Sequence, residues 1–294
     1  MSDVAIVVHG GAGRLPGSAE RIERMHAGAA AGVEAGHAVL AAGGSALEAV
    51  ETAVATLEDD PEFNAGRGAA LTEDGGVELD AAVMEGTGRA AGAIACVGGV
   101  RNPIRLARAV LDDGRHVLIV GGAARTFAAE AGVALCDDGW LVTAGQRDAL
   151  VAGASGWAEG TVGAVARDVH GRLAAGTSTG GTMGQRRGRV GDSPLIGAGT
   201  WAQDDSVAVS CTGDGEAIIR IAMAHEVDAL VRHAGHSLEQ ACAEALAALE
   251  RCAGHGGLIA VSAAGEVTAR FSSPSMTRGW RVGDGRVHTE VGGR

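Results

Sequence analysis

The segment GTVGAVARDVHGRLAAGTSTGG, residues 160–181, places two short apolar runs on either side of a polar turn. In an extended chain successive side chains point to opposite faces. Thr161, Gly163, Val165 and Arg167 therefore share one face, and Val162, Ala164, Ala166 and Asp168 the other. Asp168-Val169-His170-Gly171 supplies the turn. A hairpin of this kind commits the chain to an antiparallel sheet. VELDAAV with AAGAIACV, and GLIAVS with VTARFS, have the look of further pairs. VAIVV at 4–8, VLIVGG at 117–122 and a segment near 206–212 read as additional strands.

Helical patterns lie before and after these strands. One covers residues 19–42 and stops at Gly43-Gly44. Ser45 with Glu48 forms a capping box for a second, which reaches about Glu58. Asn102-Pro103 opens PIRLARAVL, and ARTFAAEAGV follows. A long helix is expected from near Gly213 and another over 237–252. Residues 137–160 read as a surface connection. Helices grouped around paired strands predict sheets stacked between helical layers, a mixed α/β architecture rather than a doubly wound parallel sheet. Without a repeat or a linker, residues 1–294 are expected to form one domain.

Composition excludes several functions. The net charge of −12 disfavours nucleic acid and anionic membranes. With no Tyr, 3 Phe and 4 Trp, a base-stacking platform is not expected. The chain has no Lys, which removes a Lys Schiff base and a Walker-type phosphate lysine. Cys96, Cys136, Cys211, Cys242 and Cys252 are scattered and form no C-x-x-C, as expected of small core residues in a reducing compartment. His233, His236 and His255 make no zinc spacing. The first residues do not read as a signal peptide, and no apolar run approaches the ~20 residues that span a bilayer. A cytoplasmic location is expected.

The hairpin begins with a bare Gly160-Thr161 and returns at Thr179. Thr161 is either a β-branched residue opening a strand or a nucleophile. As the first residue of a chain, a threonine has its own α-amine for a base, and that amine has a pKa of about 7.7–8.0. Gly160 lets the chain bend for the cleavage that would expose it, and Thr179 is placed to orient its hydroxyl. In GRVGDSPLIGAG, Arg189 and Asp192 either pair with each other or bind the carboxylate and ammonium of an amino acid. In SCTGDGE, Thr212-Gly213 lies between a strand and a helix start, either as a plain cap or as an oxyanion hole. Asp80 reads as a buried, hydrogen-bonded carboxylate.

HGGAG, GGSALEAVETAVATLEDDPEFNAGRG, VELDAAVMEG, RNPIRLAR, GTVGAVARD, TSTGG, GRVGDSPLIGAG and TGDGE follow one another in this order. Together they resemble the motifs of the plant-type L-asparaginase and isoaspartyl peptidase family of N-terminal-nucleophile hydrolases, over nearly the whole chain. The resemblance implies a four-layer αββα sandwich and a precursor that cleaves itself between Gly160 and Thr161. Residues 1–160 and 161–294 would stay together as α and β subunits, typically in a homodimer of such pairs. It makes Thr161 the nucleophile, Thr179 its hydroxyl partner, and Thr212 and Gly213 the oxyanion hole. Arg189, Asp192, Gly213 and Gly215 would hold the substrate, with Asn64 beside the nucleophile. His9, Gly10 and Gly11 resemble the loop that affects self-cleavage. Leu57, Glu58, Asp60, Phe63, Ala65 and Arg67 resemble a loop that holds a structural sodium ion through backbone carbonyls.

The chain departs from the family at Glu159-Gly160-Thr161, which favours the asparaginase branch over the glycosylasparaginase branch, and at TMGQRR and FSSPSM. The connection before Thr161 is also short. These departures bear on substrate preference and processing rate. The expected reaction is amide hydrolysis of L-asparagine or β-aspartyl dipeptides through an acyl-enzyme, which needs no catalytic cofactor. The alternatives are a glycosylasparaginase-like amidase, a catalytically silent binding protein, and a nucleotide-binding protein suggested by VLIVGG, which lacks the full Gly-x-Gly-x-x-Gly.

Overall fold

The computed structural model describes residues 4–153 and 160–293. Glu159 and part of the 137–160 connection lie outside the described residues. In chain order the first part runs β1 (Ala5–Gly13), α1 (Ala19–Ala41), α2 (Ala46–Glu58), β2 (Leu79–Glu85), β3 (Ala91–Val97), α3 (Pro103–Asp113), β4 (Leu118–Val120), α4 (Gly121–Glu130), α5 (Asp138–Leu141) and α6 (Ala144–Val151). The second part runs β5 (Val162–Arg167), β6 (Leu173–Thr179), β7 (Thr200–Ala202), β8 (Val207–Gly213), α7 (Gly215–Ile221), α8 (Met223–Ala234), α9 (Leu238–Arg251), β9 (Gly256–Ser262), β10 (Val267–Phe271), β11 (Ser275–Val282) and β12 (His288–Gly292).

The strands form an eight-stranded sheet, ordered β12-β11-β1-β5-β6-β2-β3-β4, and a four-stranded sheet, ordered β10-β9-β8-β7. All pairings are antiparallel except β3 with β4. The larger sheet is covered on both faces. Ile6, Val8, Val162, Ala164 and Ala166 pack with Val33, Val50 and Ile104 from α1, α2 and α3. Ala5, Val7 and Val165 point the other way, into a cluster with Val209, Leu258 and Ala260 of the smaller sheet and with Val227 and Ala245 of α8 and α9. The order of layers is therefore helix, sheet, sheet, helix. Burial on both faces explains why VAIVV is a continuous apolar run and not an alternating one.

Local chemistry fixes the elements as expected at several points. Ser45 and Glu48 form a complete capping box on α2. Asp168 from the hairpin turn accepts from Ala46 N at 3.3 Å and so joins the turn to that helix. Pro103 opens α3, and Glu58 Oε1 accepts from Ile104 N at 2.9 Å.

Other expectations needed correction. The long helix expected from near Gly213 is two helices. Ala222 takes a left-handed conformation (φ 48°), ending α7 and opening α8. VLIVGG yields only a three-residue strand, because Gly121 (φ 61°) already starts α4. The 137–160 connection contains α5 and α6, each begun by a side-chain cap from Asp137 or Thr143. β7, β11 and β12 were not anticipated. Their runs are short or are interrupted by Arg, Gly and Thr, so period-two patterning is weak.

Glu58 is fully buried, and burial pushes its carboxyl up from 4.5 to about 8. The folded chain therefore binds this proton more tightly than the unfolded chain, and the group's effect on stability worsens as pH rises from about 4.5 toward 8. Glu58→Gln keeps an acceptor for Ile104 N and removes that penalty. Thermal melts at about pH 5 and about pH 8 should show the variant gaining on the wild type only at the higher value. An equal gap at both pH values would contradict this.

Candidate active site

Strand register brings the hydroxyl-bearing residues together. Val162 is opposite Ser178 in the β5–β6 pair. One step further along, Thr161 faces Thr179, and their hydroxyl oxygens are 3.1 Å apart. Thr179 Oγ1 also accepts from Gly181 N at 3.0 Å, which fixes it at the turn. Asn64 braces the same turn: its Nδ2 donates to Gly181 O at 2.7 Å, and its Oδ1 accepts from Ala70 N at 2.7 Å.

Beneath Thr161 lies a buried polar row that crosses from one sheet to the other. In the large sheet, His9 and Thr177 flank Gly163 in register. In the small sheet, Ser210 is paired with Thr200. A Cβ on Gly163 would lie 2.1 Å from Ser210 Oγ and 2.4 Å from His9 Nε2, so glycine is what allows the row to close.

His9 Nδ1 lies 2.9 Å from the Thr161 carbonyl oxygen and Nε2 lies 2.9 Å from Ser210 Oγ. A carbonyl can only accept, so Nδ1 carries the proton and Ser210 donates to Nε2. Thr177 Oγ1 is 2.7 Å from Ser210 Oγ, and Thr200 Oγ1 donates to Thr177 Oγ1 at 2.7 Å. With the Ser210 proton already used, Thr177 is the donor in its pair, and Gly199 O at 3.2 Å competes for the same proton. The bonds then run in one direction, from Thr200 through Thr177, Ser210 and His9 to Thr161. Burial lowers the His9 pKa to about 3, so the imidazole is neutral. It contacts the carbonyl and not the hydroxyl of Thr161, which makes it a positioning residue.

Gly160 is enclosed. A Cβ there would lie 2.5 Å from Ala12 N, 2.5 Å from the Gly11 Cα and 2.8 Å from Thr212 Oγ1. Ala12 N donates to Thr212 Oγ1 at 3.2 Å. Thr212 and Gly213 are the last residues of β8, and Asp214 is the cap of α7. The expected helix start thus lies just beyond the pair and not at it.

Arg189 and Asp192 do not pair with each other. Arg189 makes a two-pronged contact with Glu216, at 2.9 Å for both Nε–Oε1 and Nη2–Oε2. Asp192 is buried, and its Oδ2 has no hydrogen-bond partner among the described residues. Burial raises its carboxyl to about 7. Gly215 sits between the two: a Cβ on it would lie 2.9 Å from both Arg189 Nη2 and Asp192 Oδ1. Asp80 accepts from Cys96 N at 2.8 Å and from Gly191 N at 3.3 Å. It is the buried, hydrogen-bonded carboxylate expected, and it ties a bulge in β3 to the Arg189–Asp192 loop.

This arrangement has counterparts in known proteins. The model of the asparaginase family, Asparaginase_2, matches residues 2–291. The chain belongs to this family. An isoaspartyl peptidase of Salmonella typhimurium is 45% identical over 95% of this chain and 96% of the relative. A probable isoaspartyl peptidase/L-asparaginase 2 of Arabidopsis thaliana is 40% identical over 99% of both. The human isoaspartyl peptidase/L-asparaginase is 42% identical over 96% of this chain and 94% of its own. The asparaginase motifs quoted above converge on the site from β1, the loop after α2, β6, the loop after it, and β8.

Sequence reasoning missed Ser210, Thr177, Thr200 and Glu216. Period two alone puts Thr177 on the same face as Thr179, so that signal was present. The partners across the sheets had none.

Ser210→Ala would leave His9 Nε2 without its buried donor, whereas Thr177 keeps Gly199 O and Thr200 Oγ1. The expected cost is about 1–3 kcal/mol, seen in calorimetry as a fall of several degrees in the unfolding temperature. An unchanged transition would mean that the row contributes nothing to stability.

Proposed function

We propose that the chain is a threonine amidohydrolase acting on L-asparagine and on β-aspartyl peptides after cutting itself before Thr161. The observation that carries the reading is the contact between the Thr161 and Thr179 hydroxyls at the end of a strand that follows an enclosed Gly160. The names of the relatives support the substrate class.

In the proposed self-cleavage, Thr161 Oγ adds to the Gly160 carbonyl carbon and the peptide C–N bond breaks. Water then hydrolyses the resulting ester. Gly160 keeps a carboxylate and Thr161 gains a free α-amine. The eight-stranded sheet places β1 between β11 and β5, so strands from both pieces alternate in it. That interleaving favours α and β subunits that remain together.

In turnover the α-amine takes the proton of the Thr161 hydroxyl, and Oγ attacks the substrate's side-chain carbonyl carbon. Thr212 and Gly213 stabilise the oxyanion. The amine passes its proton to the departing ammonia or amino acid. Water releases aspartate from the ester. Asp192, with an oxygen lacking a partner, receives the substrate ammonium. Arg189 receives the α-carboxylate across Gly215, sharing its guanidinium with Glu216.

Two further features belong to this proposal. The loop from Leu57 to Arg67 would hold a structural sodium ion through its backbone oxygens. In support, Arg67 N closes the loop onto Glu58 O at 2.8 Å, and the carbonyls of Glu58, Pro61 and Phe63 crowd around Gly66 and Gly68. The chain also pairs with a second copy. Val117, Leu118, Val120 and Leu135 form an exposed apolar edge at β4 that supports this. No helix among the described residues is long and apolar enough to cross a membrane, and the five cysteines are free, in keeping with a cytoplasmic enzyme.

Thr161→Ala is expected to remain a single chain and to release no ammonia from L-asparagine. Intact mass of the wild type should give fragments 1–160 and 161–294. A processed, active Thr161→Ala would refute the assignment. Because burial raises Asp192 to about 7, its carboxylate, which pairs with the ammonium, becomes available as pH rises through that value. The kcat/KM for L-asparagine should rise accordingly between about pH 6 and 8. Asp192→Asn should lower it by about 100-fold, as measured by ammonia release.

A further inference from the structure

A cavity of about 180 Å³ opens beside Gly160. Its lining includes Gly11, Arg14, Arg21, Glu62, Asn64 and Gly160. Neither Arg189 nor Asp192 is among its lining residues, nor is Thr161 itself, so the cavity lies apart from the place assigned to the substrate's own α-groups and adjoins the threonine through Gly160 and Asn64. Glu62, its one side-chain carboxylate, is engaged by Arg21 at 3.4 Å and by Arg24 at 2.6 Å, and the proposed cut adds the terminal carboxylate of Gly160 to the lining. Arg14 is exposed and has no carboxylate within ion-pair distance among the described residues. A chain of net charge −12 therefore presents a local cation at this opening.

The chemistry of leaving places a group on this side of the nucleophile. The α-amine of a processed Thr161 stands where the bond to Gly160 was. It must give its proton to the leaving nitrogen, which requires an approach of about 2.6–3.2 Å. The leaving nitrogen consequently lies on the Gly160 side of the threonine, and whatever it carries extends toward the cavity. Ammonia carries nothing further. A leaving amino acid carries a side chain and an α-carboxylate.

We propose that the cavity beside Gly160 is the subsite for the leaving amino acid of a β-aspartyl dipeptide, with Arg14 binding its free α-carboxylate. The proposal rests on the amidohydrolase reading and deepens it. Arg14 sets a preference for dipeptides with a free carboxyl terminus over capped ones. It takes no part in holding the aspartyl half.

The test compares processed wild type, Arg14→Gln and Arg14→Lys on L-asparagine, β-aspartyl-leucine and β-aspartyl-leucinamide at low salt. The wild type should prefer the free acid to the amide by about fivefold in kcat/KM, the scale of a solvent-facing charge-assisted contact. Arg14→Gln should bring that ratio close to one, and Arg14→Lys should retain part of it. Because the ratio is taken within each variant, an incompletely folded preparation does not alter it. A wild type without the preference, or an Arg14→Gln that keeps it, overturns the subsite while the amidohydrolase reading stands. Failure of the wild type to hydrolyse all three compounds would overturn both.

Discussion

The site depends on a neutral imidazole buried between two sheets. His9 belongs to the large sheet, and its hydrogen-bond partner Ser210 to the small one. Its other nitrogen holds the Thr161 carbonyl. An ionised histidine here would have to lose its solvation without a counter-charge, and burial instead depresses its pKa to about 3. The row from Ser210 through His9 to Thr161 can be satisfied in one direction only, because the Thr161 carbonyl can only accept. The Thr161 carbonyl thereby fixes the tautomer of His9, and the tautomer makes Ser210 the donor to Nε2. Local side-chain chemistry and the stacking of the two sheets are here the same constraint.

The proposed substrate side follows a different logic. Asp192 is buried with an oxygen left over, whereas Arg189 already has a carboxylate partner. A buried carboxylate with a raised pKa is costly to fold around, and a ligand ammonium would remove that cost. Glu216 is exposed, so its bond to Arg189 competes with water and is readily shared. Asp80 meanwhile anchors the loop through Gly191 N, one residue before Asp192. Gly215, the first residue of α7, has no room for a Cβ between the two groups.

Much of the fold was legible in the sequence because its signals are local. The Ser45 box, Pro103 and the 160–181 hairpin each act within a few residues, and all formed as expected. The break at Ala222 was not legible, since alanine favours a continuous helix and only tertiary packing imposes its left-handed conformation. At the site, the hairpin register juxtaposed Thr161 and Thr179 as the sequence suggested. Ser210 could not be paired with His9 from spacing, because 201 positions separate them and the contact is made by stacking one sheet on another. Glu216 was hidden for a related reason. Its role depends on a loop brought over the start of α7, and in sequence it is simply an acidic residue in the first turn of a helix.

Interleaving of the strands also governs what a cut at Thr161 would do. β1 is bonded to β5 on one side and β11 on the other, and β6 is bonded to β2. Separating residues before Thr161 from those after it would break three ladders of the large sheet and expose apolar side chains on both of its faces. Opening one peptide bond adds chain freedom only at the new ends, where loop-closure entropy changes slowly with length. The burial of Ile6, Val8, Val162 and Ala164 against α2 is untouched by it. A terminal threonine formed in this setting would remain seated by His9, whose hold is on the carbonyl that follows the cut and not on the bond that is lost.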